Sequence, residues 1–120
     1  MARVLMVDDD RDSCRLIHRL LSKTGHRVDI FHAAGDALHW LAGSDPDLVL
    51  LHVKPWNREI LSVLELLRAQ HRNSRVIAIT GHPRADTVMK AMQMGVDDCL
   101  VQPVEIEDLE GRIEAALQRP

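Results

Sequence analysis

The chain alternates short apolar runs with longer segments whose apolar positions recur at helical spacing. Leu48-Val49-Leu50-Leu51 is four apolar residues in a row. That is too few for a buried helix and suits a strand covered on both faces. Asp45-Pro46 ahead of it is a turn signal, because the residue before a proline is pushed out of the helical region. Asp47 to His52 therefore reads as the central strand of a parallel sheet, and His52 leaves its carboxyl end. Val4-Leu5-Met6-Val7 is a second such run and ends in Asp8-Asp9-Asp10. Val28 to Phe31 alternates like an edge strand. Arg75 to Ile79 is a fourth strand, ending at Thr80-Gly81, and Cys99 to Val101 is a fifth, followed by Gln102-Pro103.

Five helical segments lie between and after these strands. Ser13 to Ser22 places Cys14, Ile17, Leu20 and Leu21 on one face, with Asp10 or Asp12 as its cap and Thr24-Gly25 as its stop. Ala33 to Leu41 does the same with Ala34, Ala37, Leu38 and Leu41. Glu59 to Gln70 carries the stripe Ile60, Val63, Leu64 and Leu67. Arg84 to Met94 turns Val88, Ala91 and Met92 inward. Glu105 to Leu117 has acids in its first turns, which favours its N-terminal dipole. Five strands alternating with five helices predict an α/β fold of parallel units with right-handed crossovers. The doubly wound, flavodoxin-like order 2-1-3-4-5 is the standard arrangement for this count. Ligands collect at the carboxyl ends of such strands. The expectation is one pocket lined by Asp8, Asp9, His52, Thr80 and Gln102.

Composition narrows the function. The 120 residues form one domain, residues 1–120, ending after a helical pattern; that fits a small protein or the first domain of a longer one. A net charge of -3 and a pI near 6.1 argue against nucleic-acid binding, which needs a basic face. No apolar run approaches the eighteen or so residues of a membrane span, and the first apolar run stops at Asp8, too short for a signal peptide. Cys14 and Cys99 have no paired metal or redox spacing, so two reduced thiols in the cytoplasm are expected. The seven histidines show no HExxH or similar metal spacing.

Three pieces carry a family resemblance: Val7-Asp8-Asp9-Asp10, Ile79-Thr80-Gly81-His82, and Gly95 through Pro103. In that order and at that spacing, the whole chain resembles a response-regulator receiver domain, the CheY-like phosphoacceptor module of two-component signalling. The resemblance implies that Asp8 and Asp9 match an acidic pair that holds Mg2+, that Thr80 matches a phosphoryl-binding hydroxyl, and that Pro103 matches the proline after a lysine, joined by a peptide bond that is usually cis. It also exposes departures. His52 stands where the nucleophilic aspartate belongs, Gln102 where the lysine belongs, Cys99 where an aromatic switch residue is common, and Ile60 where a glycine is usual. The loop after the third strand reads Pro55-Trp56 where the family usually has Met-Pro.

Phosphoryl transfer is mostly positioning and charge neutralisation. Exchanging the aspartate removes a nucleophile and a Mg2+ ligand together, and imidazole substitutes poorly for a hard oxygen ligand. Exchanging the lysine for Gln102 removes a full positive charge. The expectation is a degenerate, non-enzymatic receiver that works as a phosphorylation-independent interaction module, with no cofactor and with Mg2+ binding weak or lost. Two readings of His52 stand side by side: protonated between Asp8 and Asp9 it supplies the missing cation, because two carboxylates raise an imidazole above its ordinary pKa of about 6.5, or it is neutral and bonded to one carboxylate or to water, with no switching role. The alternatives are a pH-responsive switch, a metal-responsive site of Asp8, Asp9 and His52 suited to an ion such as Zn2+, or a phosphohistidine carrier at His52 with Lys54 nearby.

The expected partners are proteins: a histidine kinase, or a fused or downstream output domain. The resemblance also points to a homodimer through the fourth helix, fifth strand and fifth helix, a face carrying Arg84, Lys90, Asp97, Asp98, Glu107 and Asp108. Trp56 covers the pocket or anchors a partner, and Trp40 packs on a helix face. Met92 is assigned to the core, with Met89 and Met94 left open as core or adaptable surface. Cys99 is either a small apolar filler or a redox-active thiol.

Overall fold

The computed structural model describes residues 2–53, 58–81 and 85–118. Five strands, β1 (Arg3–Val7), β2 (Arg27–Phe31), β3 (Leu48–Val53), β4 (Arg75–Thr80) and β5 (Asp98–Val101), alternate with five helices, α1 (Arg11–Lys23), α2 (Ala34–Leu41), α3 (Arg58–Gln70), α4 (Ala85–Gln93) and α5 (Ile106–Gln118). All strand pairings are parallel, in the order β2-β1-β3-β4-β5. This is the flavodoxin-like arrangement expected from the pattern. Lys54 and Trp56, in the loop after β3, lie outside the described residues, as does Arg84.

β3 is buried at every position, which is why its sequence is a continuous apolar run rather than an alternating one. Its side chains divide between two cores. Val49, Leu51 and Val53 join Leu5, Val7, Ala37, Val63, Leu64, Leu67 and Ala91 on the face covered by α2, α3 and α4. Leu48 and Leu50 join Val4, Met6, Cys14, Ile17, Leu21, Leu109 and Ile113 under α1 and α5. The strand period of two dictates this division.

The helix ends follow local chemistry. Asp10 caps α1, its Oδ1 accepting from Asp12 N at 3.0 Å and Ser13 N at 3.3 Å. Gly25 and Gly95 stop α1 and α4 with φ of 85° and 89°, a conformation that costs glycine nothing. His71, just past α3, ties three segments together: its Nδ1 lies 2.8 Å from Asp45 Oδ1 and its Nε2 lies 3.0 Å from Leu41 O.

Two placements depart from or refine the sequence reading. Met92, assigned to the core, is 49% exposed, while Met94 packs against the core. On α4 Ala91 is buried, and Met92, about 100° further round, faces outward. Met89 is exposed as well. Trp40 packs as expected, tilted against Phe31 with ring centroids 6.2 Å apart and with the Arg3 guanidinium 4.9 Å over its ring.

The central strand sets stability. Leu50→Ala, at a site with no exposure, is expected to destabilise the domain by about 2–5 kcal/mol. Leu16→Ala on the exposed face of α1 should stay within about 0.5 kcal/mol. Urea unfolding of the two variants measures the difference.

Candidate functional site at the carboxyl ends of β1 and β3

The chain leaves β1 at Val7 and holds Asp8 in place from several sides. Asp8 N donates to Phe31 O at 3.0 Å, and Asp8 Oδ1 accepts from Asp10 N at 2.8 Å. The Asp8 carbonyl accepts from His32 Nδ1 at 2.8 Å and from the Cys14 thiol at 3.6 Å. The carboxylate is therefore buried and aimed, not left to find its own rotamer.

β3 brings a histidine to meet it. Val7 of β1 pairs with Leu51 of β3, so the residues that follow each, Asp8 and His52, are neighbours across the sheet. His52 Nδ1 lies 2.7 Å from Asp8 Oδ1, and both side chains are 2% exposed. Asp9 Oδ1 is further away, at 3.6 Å, and its side chain is 70% exposed. His52 thus leans on one carboxylate rather than sitting evenly between two. Its other nitrogen, Nε2, lies 3.3 Å from Gln102 Oε1, and Gln102 Nε2 donates to Ser13 Oγ at 3.4 Å. Both ring nitrogens face oxygen acceptors, an arrangement that a doubly protonated imidazole satisfies by donating twice.

A polar chain therefore runs from Ser13 on α1 through Gln102 after β5 and His52 on β3 to Asp8 after β1. The Gln102-Pro103 peptide is cis. Gly81, just past β4, is drawn in as well: a Cβ there would come within 3.0 Å of Gln102 Oε1.

Beside the pair lies a cavity of about 190 Å³, with Asp8, Asp9, His32, His52, Glu59 and Ile60 in its walls. Of the five residues expected to share a pocket, Asp8, Asp9 and His52 line this one. Gln102 touches His52 but is not part of the wall. Thr80 is buried at the end of β4, in register with Val53 and Val101, and is not part of that wall either; its carbonyl accepts from Gln102 N at 2.7 Å.

Three contributors were missed from sequence. Ser13 sits three residues past the cap of α1, a position read only as helix. His32 follows β2, whose carboxyl end reaches the same edge of the sheet as β1 and β3. Glu59 opens α3 and was read only as helix.

The environment of each thiol disfavours its thiolate. Burial, and after it the charge of Asp8, pushes the Cys14 thiol up to about 12. Burial, and after it Asp98, raises Cys99 too. Cys99 packs against the core, as a small apolar filler does.

A divalent cation of the Mg2+ type is poorly served by these donors. Oxygen ligands and octahedral order are what it needs. Here Asp8 Oδ1 is already engaged by His52 Nδ1 and Asp10 N, and the third group is an imidazole. One ligand atom each from Asp8, Asp9 and His52 does lie within 4.8 Å of the others, a donor set with mixed nitrogen and oxygen.

Residues 4–114 match the family model of the response regulator receiver domain. Response regulator MprA of Mycobacterium ulcerans is 31% identical over 117 residues, covering 98% of this chain and 50% of that protein. MprA of Mycobacterium tuberculosis is also 31% identical, with 98% and 51% covered. The chain spans about half the length of these curated relatives. Among solved structures, a two-component response regulator from Clostridium difficile superposes with a TM-score of 0.90 at 21% identity, covering 99% of this chain and 98% of that one, a likeness of fold. NtrX from Brucella abortus, in a complex with ATP, gives 0.87 at 30% identity, covering 98% of this chain and 27% of that one.

Removing one member of a buried, hydrogen-bonded pair of ionisable groups strands the other. His52→Ala is expected to cost about 3–5 kcal/mol in urea unfolding, and Gln102→Ala about 1 kcal/mol; a double-mutant cycle isolates the coupling between them. Cys14 should resist alkylation in the native protein at pH 8 and react once the chain is unfolded. An unfolded thiol loses its proton near 9.0 while native Cys14 keeps it to about 12. Stability contributed below pH 9 is therefore lost as pH rises between those values, which urea unfolding in alkaline buffers checks.

Proposed function

The chain belongs to the response regulator receiver domain family of two-component signalling, and from that premise we propose that it signals without being phosphorylated. The reading rests on one observation: His52 Nδ1 is held 2.7 Å from Asp8 Oδ1 inside the fold. In this reading, His52 takes the place of the aspartate that accepts the phosphoryl group in the family, and Gln102 that of the lysine. The imidazole supplies from within the positive charge that the family obtains from a metal ion and an ammonium group. The acidic pocket is then neutralised permanently rather than on demand, and the Ser13–Gln102–His52–Asp8 chain fixes it in one arrangement.

Such a domain serves as a binding module. Receiver domains of this family are generally non-enzymatic signalling modules, and the proposed partners are proteins: a histidine kinase, or an output domain fused to the chain or acting downstream of it. A dimer through α4, β5 and α5, as the family resemblance implies, is one way of presenting it. Among the described residues, no helix is long and apolar enough to cross a membrane.

A second reading is favoured by the 4.8 Å grouping of donor atoms from Asp8, Asp9 and His52: a transition ion with a taste for imidazole, such as Zn2+, occupies the site and sets the state of the module.

Incubation with acetyl phosphate and Mg2+ followed by intact-mass measurement is expected to show no added phosphate on the wild-type chain. The double variant His52→Asp, Gln102→Lys should gain it. A stable phosphoryl adduct on the wild type would defeat the proposal. Calorimetric titration with Mg2+ and with Zn2+ separates the two readings: heat from neither supports the permanently neutralised pocket, and saturable heat from Zn2+ alone supports the metal-set state.

A further inference from the structure

α1 carries a basic row on an acidic molecule. Arg11, Arg15, Arg19 and Lys23 recur every four residues, about 6 Å apart along the helix axis. His18 lies among them, and all five side chains are exposed. The chain as a whole carries -3, so this row is a local reversal of sign. Among the described residues, none of the four bases makes an ion pair. Asp10, just ahead of the row, has its Oδ1 engaged by Asp12 N and Ser13 N.

The row borders two adjoining recesses. Between α1 and the end of β2 lies a cavity of about 210 Å³, walled by Arg11, Cys14, Arg15, His18, Ile30 and His32. A more open groove continues along α1, lined by Arg15, His18, Arg19, Ser22 and Lys23. Arg15 and His18 belong to both, and no acid lines either. His32 Nδ1 donates to Asp8 O at 2.8 Å, which leaves Nε2 without a partner among the described residues. Two guanidinium groups and two imidazoles therefore surround one small recess, and two more cations follow within the next two turns of the helix.

We propose that this face of α1 binds a small soluble molecule bearing two linked phosphoryl groups, pyrophosphate or an ester of it. Arginine presents a planar fork of N–H donors that matches phosphate oxygens two at a time, and each phosphoryl group offers several acceptors. A carboxylate brings a single charge and two oxygens. The cavity is smaller than the roughly 300–1,000 Å³ of a drug-sized site, so it takes a compact head: one phosphoryl group among Arg11, Arg15, His18 and His32. The second then lies toward Arg19 and Lys23, further along the helix. The site is separate from the Asp8–His52 pocket, whose acids repel such a ligand. It adjoins that pocket through two side chains, because His32 and Cys14 wall the cavity and both donate to the Asp8 carbonyl. The inference goes beyond the proposed function and stands whether or not the pocket accepts a phosphoryl group.

Calorimetric titration of the 120-residue chain with sodium pyrophosphate tests it, in buffer stripped of divalent ions so that no metal bridges the ligand to Asp8 or Asp9. Saturable binding with a Kd below about 1 mM is expected at low salt, weakening as salt rises. Inorganic phosphate should bind about tenfold less tightly or worse. Arg15→Glu, at the junction of the two recesses, and the pair Arg19→Glu, Lys23→Glu should each cost more than about tenfold, and Arg15→Lys, which keeps the charge and loses the fork, should cost less than Arg15→Glu. Arg72→Glu, at an exposed position past α3, should leave binding unchanged. All these positions are exposed, and urea unfolding confirms that each variant is folded. In amide spectra, pyrophosphate should move the signals of Cys14, His18 and His32 and leave those of α4 in place. Uridine diphosphate binding more tightly than pyrophosphate assigns the site to an ester; equal or weaker binding assigns it to the free diphosphate. No saturable pyrophosphate binding at low salt overturns the proposal. So does binding that ignores Arg15→Glu, binding lost with Arg72→Glu, inorganic phosphate bound as tightly as pyrophosphate, shifts confined to α4, or a short oligothymidylate bound more tightly at equal phosphate concentration.

Discussion

Two ionisable side chains taken out of water together constrain everything around them. Asp8 and His52 are each all but inaccessible, and neither is tolerable there without the other. Their meeting fixes where β1 and β3 must end relative to one another, and the backbone around Asp8 is correspondingly over-determined. β2 supplies a carbonyl for its N–H, and the turn into α1 supplies an N–H for its carboxylate. A histidine and a cysteine both donate to its own carbonyl. The apolar cores on the two faces of the sheet hold the strands in place, and the Asp8–His52 contact fixes the chemistry at their tips.

The pair also gives Gln102 a different task from that of a charged residue. An amide has an acceptor and a donor on the same plane, so it can hold an imidazole N–H with one end and a hydroxyl with the other. Gln102 does both, reaching His52 and Ser13. The end of β5 is thereby joined to α1 as well as to β3. A lysine in its place would have only donors to offer and could not accept from an imidazole N–H. The two departures from the family pattern, at His52 and Gln102, are therefore mutually consistent as a physical arrangement.

Much of the architecture could be read from the chain because its signals are local. The continuous apolar run of β3, the helical stripes of α1 and α3, and the stops at Gly25 and Gly95 each follow from a few neighbouring residues. The convergence of Asp8, Asp9 and His52 was legible too, since strand order and strand ends together decide it. Distances and second partners were not. The preference of His52 for Asp8 over Asp9 depends on how the turn into α1 orients one carboxylate inward and leaves the other in solvent. The part played by Ser13 depends on the packing of α1 against the chain after β5, a long-range contact that no periodicity records. Met92 shows the converse limit: on a short helix, spacing alone does not decide which of two adjacent residues turns inward.

Gly81 adds a further consequence. Its missing side chain leaves just enough room for the Gln102 amide, and a Cβ would press on the very oxygen that faces His52. Gly81, just past β4, thus bears on the imidazole only through that amide. Displacing Gly81 by a few tenths of an ångström would push the amide aside, and with it the oxygen that faces His52.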